Sequence, residues 1–294
     1  MTPADGPLAW VDGALVPRED ARISIDDFAV RYGAACFETM LARQGHVFRA
    51  GAHLDRLERG LRAMGVRPPD QAALLDAIDE TLRANGRADA AVRLTVTAGR
   101  GVAPALDAVG PPSVLVTVDA LPSAPPPPRL MASTVRLDER RPLADAKHAQ
   151  FLPYLLARAE ARAAGFDDAL LLNHAGALVE AATANVFLVL GDVLLTPALE
   201  DGALPGITRA ALIEVAASLG VAVAEQAIPP AHLASASALL LTSSVAGVVP
   251  AASVDAAPPA VPAALSWAPA TPAPTVVAAL ANAYTALVEE ECGG

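Results

Sequence analysis

At 294 residues the chain is longer than one hydrophobic core usually fills, so two domains are expected. Its 53% hydrophobic and 18% charged residues exclude a disordered chain and indicate a well-buried globular protein. A net charge of −11 excludes the basic face that binding to nucleic acid or an anionic membrane requires.

In chain order, residues 8–16 read as a hairpin turning at Asp12-Gly13, and 36–50 as a second one turning at Gln44-Gly45. Residues 52–66 form an amphipathic helix with Leu54, Leu57, Leu61 and Met64 on one face and Gly65 as its stop. Asp70 caps a further helix whose Leu74, Ile78 and Leu82 face inward before Gly86 ends it. The stretch 92–99 alternates as a half-buried strand, with Arg93, Thr95 and Thr97 opposite Val92, Leu94 and Val96. Another strand covers 113–120. The run LPSAPPPPRL then breaks all regular structure, because successive prolines form stiff extended chain.

The expected division is therefore a small α+β domain over 1–120, a proline-rich linker over 121–129 and a larger domain over 130–294. In the larger domain, a helix over about 149–164 precedes a β-meander ending at Pro197, a helix following Gly206, and a strand over 238–242. Residues 233–254 carry no charge, but five serines, a threonine, Gly247 and Pro250 mark a buried strand and polar loop, not a membrane span. The proline- and alanine-rich 257–274 reads as a surface loop, and 275–291 as a closing helix.

Cys36 and Cys292 form no disulfide framework, which points to a reducing cytoplasm, and the N-terminus shows no signal peptide. The five histidines are scattered without metal-ligand spacing, so no metal is expected. There is no nucleotide-binding glycine fingerprint and no G-x-S-x-G elbow.

The residues that suggest chemistry lie mostly between 145 and 209. Lysine is scarce beside many arginines, and Lys147 stands just before an alanine-rich helix. An amine there forms an imine with a carbonyl cofactor once burial or a neighbouring cation makes its neutral form accessible. Taken alone, such a lysine is most often simply solvated. Glu180, after a turn at His174–Gly176, is a carboxylate able to keep a pyridine nitrogen protonated; alone, it reads as a strand-end glutamate in water. Leu204-Pro-Gly-Ile-Thr-Arg209 offers a helix start whose Ile207 and Thr208 amides suit a phosphate, with Thr208 as the expected cap. Ser243 and Ser244 form a second hydroxyl-rich turn, and Arg56 a fixed charge on the small-domain helix.

Together these pieces resemble the class-IV aminotransferases, which are pyridoxal 5'-phosphate enzymes of fold type IV. The family signature is matched by Glu180-Ala-Ala-Thr-Ala-Asn185-Val-Phe187, then Leu194-Leu-Thr196, then Leu204-Pro-Gly-Ile-Thr-Arg209. YGAACFETMLARQGHVFRAGAHLDRL over 32–57 resembles the small-domain pattern that ends in a phosphate-binding arginine, here Arg56. KHAQFLPYLLARAEARAAGFDDALLLN resembles the catalytic-lysine segment. The resemblance spans nearly the whole chain and fades after Pro250.

It implies an α+β fold with a small α/β domain and a larger β-barrel-like domain flanked by helices. Lys147 is then the Schiff-base lysine and acid/base, and Glu180 the partner of the pyridine nitrogen. Arg56, Ile207, Thr208, Ser243 and Ser244 bind the phosphate. Apart from the resemblance, Arg93 on the strand face opposite Val92 suits either a substrate carboxylate or a surface ion pair. A homodimer is implied, with small amino acids and 2-oxo acids as substrates. The chain departs from the branched-chain enzymes in placing Phe151 where they carry a tyrosine, and in lacking an Arg-Pro pair on strand 92–98. It departs from the D-amino-acid enzymes in lacking an Arg-x-His after that strand. The leading expectation is a transaminase. The alternatives are an aminodeoxychorismate lyase, releasing pyruvate and 4-aminobenzoate on the same lysine, and a family member that has lost catalysis.

Overall fold

In the computed structural model, residues 6–102, 104–124, 126–256, 266–269 and 274–293 are described. Asp12 and Gly13 both take positive φ, as a two-residue hairpin loop requires. They fold β1 (Leu8–Val11) against β2 (Ala14–Pro17). A short helix, α1 (Phe28–Tyr32), begins where the Asp27 side chain accepts from the Ala29 amide and ends at left-handed Gly33. Its five residues are too few to show a period, and the sequence reading missed it. The long strand β3 (Ala35–Arg43) turns at Gln44-Gly45 into β4 (His46–Val47). The amphipathic helix α2 (Ala50–Ala63) starts two residues earlier than its leucine stripe suggests, and α3 (Gln71–Ala84) is capped by Asp70, which accepts from Ala73 at 3.2 Å. With β5 (Ala90–Thr97) and β6 (Val114–Asp119) the strands form an antiparallel sheet in the order β2-β1-β6-β5-β3-β4. Val92, Leu94 and Val96 are fully buried while Arg93 between them is exposed, the alternation of a sheet covered on one face.

This first compact unit comprises Met1–Pro122 together with Ala146–Gln150 and Val288–Gly294. The Lys147 segment and the chain's last turn of helix, expected in the larger domain, thus cluster with the small one. Sequence distance hides this: backbone hydrogen bonds from Phe37 to the Lys147 carbonyl and from Ala149 to the Ala35 carbonyl carry the segment to β3.

The second unit, Ser123–Asp145 and Phe151–Leu287, contains two sheets. After the prolines, β7 (Arg129–Leu137) leads through α4 (Leu152–Ala163) to the parallel strand β8 (Asp168–Asn173), on which β9 (Leu178–Ala181) folds back. The expected meander then changes sheet. A tight turn, in which the Ala181 amide donates to the Ala184 carbonyl at 2.8 Å, hands the chain to β10 (Asn185–Leu190) and β11 (Val193–Thr196). The helix α5 (Ile207–Ser218) connects β11 to parallel β12 (Ala222–Glu225), and β13 (Ala238–Ser243) with β14 (Gly247–Pro250) completes the order β12-β11-β10-β13-β14. The polar loop expected after β13 is therefore a hairpin. A final strand, β15 (Ser253–Ala256), joins the other sheet beside β7, and α6 (Thr275–Cys292) closes the chain.

The sheets share an inner core of Leu130, Leu170, Leu172 and Leu178 against Val186, Leu188, Leu239 and Leu241. Outside, Ala157 and Ala161 of α4 cover Met131, Ala169 and Leu171, while Leu212 of α5 and Leu280 of α6 cover Phe187, Val189 and Leu240. Strands buried on both faces cannot alternate, which is why 169–172 and 186–190 read as unbroken apolar runs. Each such leucine contributes about 1.5–3 kcal/mol of burial. The 257–274 stretch lies outside the described residues except for 266–269 and 274. Within it Trp267 is not a surface residue: it is buried, bridged to Val254, and donates from its indole to the Ala236 carbonyl at 2.8 Å. Among the described residues no helix is long and apolar enough to cross a membrane.

Candidate active site

In the first unit, β3 organises the chemistry. The Phe37 amide donates to the Lys147 carbonyl at 2.9 Å, and the Ala149 amide to the Ala35 carbonyl at 2.8 Å. These bonds hold residues 147–149 against β3 like a short antiparallel strand, with Cys36 opposite His148. Lys147, the only lysine of the chain, is half-buried with Nζ 4.8 Å from the Phe37 ring centroid. The Arg93 guanidinium carbon lies 3.6 Å from the centroid of the same ring, so one aromatic ring serves two cations. Partial loss of hydration lowers the pKa of Arg93, although the residue keeps an exposed face, with the Glu38 charge opposing.

Residues alternate in side along a strand, and Glu38 next to Phe37 is 0% exposed. His53 and Arg56, three apart on α2 and therefore on one face, close around it. Arg56 donates from Nε to Oε1 at 2.8 Å and from Nη2 to Oε2 at 2.5 Å, and His53 Nδ1 lies 2.7 Å from Oε2. Burial by itself raises the pKa of Glu38, but the Arg56 charge and the hydrogen bonds of His53 and Arg56 outweigh it and take it down to about 2. Burial likewise lowers His53 below its ordinary value, reinforced by the charges of Arg56 and Lys147 and opposed by Glu38. The ionised carboxylate only accepts, so Nδ1 of the neutral ring carries the proton.

In the second unit, Glu180 stands on β9 and is buried. The water-facing reading of this residue is thereby excluded. Its Oε1 accepts from the Tyr154 hydroxyl at 2.8 Å, and its Oε2 from Asn185 Nδ2 at 3.2 Å and from the Leu204 amide at 3.1 Å. Donated hydrogen bonds favour the charged form of a carboxylate. The change of sheet after Ala181 is what brings Asn185, first residue of β10, beside Glu180. Asn185 Nδ2 also donates to the Leu204 carbonyl at 2.8 Å, tying the chain entering α5 to the same cluster.

Ile207 and Thr208 are the first two residues of α5 and both are buried. Thr208 does not cap the helix, as the sequence suggested: the N-cap is Gly206, which has no side chain to offer, so the helix start receives no side-chain cap. A glycine is required there because a Cβ would lie 2.0 Å from Asn185 Oδ1. Thr242 pairs with Asn185 across β10 and β13, and its buried Oγ1 lacks a hydrogen-bond partner among the described residues. Ser243 ends β13 and Ser244 begins the turn to β14, both half-buried. An uncapped helix start beside an unsatisfied buried hydroxyl suits an anion such as a phosphate, and Glu180 suits a protonated ring nitrogen.

The structure thus groups Lys147, Arg56 and Arg93 around β3, and Glu180, Ile207, Thr208, Ser243 and Ser244 around β9, α5 and β13. Sequence reasoning missed Phe37, Glu38, His53, Arg141, Tyr154 and Asn185 as site residues. Only two carried a signal: Asn185 lies inside the signature, and Glu38 is a lone acid in an apolar strand.

Two units of mixed helix and sheet, one carrying the clamped lysine and the other the buried Glu180, define a fold type IV enzyme. The family model for amino-transferase class IV matches residues 35–254, and the chain belongs to that family. It is a transaminase. It is 30% identical to the branched-chain-amino-acid aminotransferase of Salmonella typhimurium, over 87% of each chain. Its fold is similar to that of the branched-chain aminotransferase from Thermoproteus uzoniensis with norvaline, with TM-score 0.86, 28% identity and coverage of 97% and 95% of the two chains. It is also similar to the T.th. branched-chain amino acid aminotransferase complexed with N-(5'-phosphopyridoxyl)-L-glutamate, with TM-score 0.83, 27% identity and coverage of 98% and 95%. Class IV aminotransferases depend on pyridoxal phosphate. The lyase alternative is the weaker fit, and the family match supports an enzyme over a member without catalysis.

Proposed function

We propose that this chain uses pyridoxal phosphate to move an amino group between an amino acid with a small or branched apolar side chain and a 2-oxo acid. The observation that carries this reading is Glu180, buried, with three hydrogen bonds donated to its two oxygens and an uncapped helix start nearby. The branched-chain preference is supported by the names of the relatives. When bound, the cofactor supplies an electron sink conjugated to the substrate α-carbon. Lys147 Nζ is the amine that would hold the cofactor and, when free, would take and return the substrate α-proton. Glu180 keeps the ring nitrogen protonated. Arg56, the Ile207 and Thr208 amides, Ser243 and Ser244 bind the phosphate, with Glu38 and His53 holding the Arg56 guanidinium in one orientation. Arg93, stacked on Phe37, receives the substrate carboxylate.

The working protein is a homodimer in a reducing cytoplasm on this reading. Leu152, Leu155 and Leu156 of α4 are 62%, 55% and 54% exposed, an apolar row that a second copy would cover. Both cysteines are free and buried.

The test is half-reaction spectroscopy of the cofactor-loaded protein against leucine, isoleucine, valine and alanine of both hands, with pyruvate release from aminodeoxychorismate measured in parallel. The expected result is conversion of the bound cofactor to its amine form by branched-chain substrates and no pyruvate. No conversion with any amino acid, or pyruvate release alone, overturns the proposal.

A further inference from the structure

We propose that Tyr154 and Arg141 are positioning residues that form a relay behind Glu180 and keep the proton shared with the cofactor's ring nitrogen on the nitrogen. The inference rests on the functional reading above and assigns roles to two residues outside the family signature. The Tyr154 hydroxyl donates to Glu180 Oε1 at 2.8 Å, and Arg141 Nη2 donates to that hydroxyl at 3.1 Å. A cation therefore acts on the carboxylate through a neutral phenol.

Arg141 is anchored independently of Tyr154. Its Nη2 also donates to the Gly202 carbonyl at 3.0 Å, and its Nη1 to the Asp138 carbonyl at 3.0 Å. Gly202 has a φ of +98°, and a Cβ there would lie 3.1 Å from Arg141 Nη1, so only glycine lets the guanidinium approach. Phe151 stacks on Tyr154 with centroids 4.5 Å apart and planes 12° apart, fixing the phenol ring. Phe151 occupies the position where the branched-chain enzymes carry a tyrosine, so the hydroxyl of this segment serves Glu180 instead. Burial, and then the Glu180 charge, hold the Tyr154 hydroxyl far above the ordinary phenol range. It remains a donor at every working pH.

A donor bonded by a cation is polarised and donates more strongly. Glu180 then competes less well for the shared proton. Without the hydroxyl, Asn185 and Leu204 still hold Oε2, but Oε1 loses this donor. The carboxylate becomes more basic, and the proton moves from the ring nitrogen to it by roughly ten-fold in their ratio. The electron sink weakens accordingly.

The test loads wild type, Tyr154→Phe and Arg141→Lys with pyridoxal phosphate carrying a ¹⁵N ring nitrogen. Borohydride reduction and the mass of the single lysine verify loading, and the ¹⁵N chemical shift reads the proton. Wild type is expected at the pyridinium position and Tyr154→Phe displaced toward neutral pyridine. Its kcat should be roughly ten-fold lower with KM within about two-fold, and Arg141→Lys should fall between. An unmoved resonance in fully loaded Tyr154→Phe overturns the relay. Should that variant not fold, an unmoved resonance in Arg141→Lys overturns it equally. Wild type without cofactor mass on Lys147 overturns the functional reading, and the relay with it.

Discussion

Replacing Glu38 with glutamine keeps the side chain's size but removes the charge bonded to both Arg56 and His53 in this buried cluster. The folded protein takes Glu38 from the ordinary 4.5 down to about 2. That displacement corresponds to roughly 3 kcal/mol, at about 1.4 kcal/mol per ten-fold change in proton affinity. Leaving one member of a buried ion pair unpaired costs a similar ~3–5 kcal/mol. Glu38→Gln is therefore expected to lose about 3 kcal/mol at pH 7. The sign with pH follows from the direction of each displacement. Glu38 is lowered on folding, so its contribution is complete above about pH 4.5 and disappears as pH falls toward 2. His53 is also lowered from 6.5, so the unfolded chain takes up a proton below that pH which the buried ring refuses. Wild type should lose stability progressively below pH 6.5 and more steeply below 4.5, and the variant should lose the steeper limb. The assay is urea unfolding followed by Trp10, which lies in the same unit, in a Trp267→Phe background. Equal midpoints for variant and parent at pH 7 would refute the reasoning.

Lys147→Ala should abolish transamination while shifting the thermal midpoint by little, since the side chain is half-exposed; residual turnover above one part in about a thousand would remove Lys147 from the mechanism. Gly206→Ala forces a Cβ to within 2.0 Å of Asn185 Oδ1. It should cost ~1–3 kcal/mol in thermal unfolding and weaken cofactor retention, since Asn185 must leave Glu180. Arg56→Ala leaves Glu38 buried without its cation and should lose ~3–5 kcal/mol in urea unfolding; cofactor affinity should fall as well, and an unchanged Kd for pyridoxal phosphate would contradict the phosphate role. Both thiols should resist a thiol reagent until denaturant is added, because Cys36 and Cys292 are buried and burial pushes Cys36 up to about 12.

Local signals were the most legible. Asp12-Gly13, Gln44-Gly45 and Asp70 mark their turns and cap because each acts on backbone within three residues. The leucines of α2 and α3 show the buried face directly. The signature placed Glu180, Asn185 and the start of α5 together because their chemistry is written in residue type. The sheet change after Ala181 was not legible, since β8 to β11 are largely apolar and buried on both faces, and alternation cannot tell one sheet from two. Nor was the outward row of α4: its leucines face out while Ala157 and Ala161 face in, the reverse of what hydrophobicity alone suggests.

By itself the sequence determined the family and most of the helices and strands, and it singled out Lys147 and Glu180 as the candidate amine and carboxylate. These follow from residue types at short spacing, where covalent geometry limits the choices. Tertiary structure alone decided that Glu38 compensates Arg56, that Tyr154 and Arg141 stand behind Glu180, and that residues 146–150 belong with β3. Those pairings join side chains up to tens of residues apart, and their energies come from excluding water around the pair, which no local pattern records.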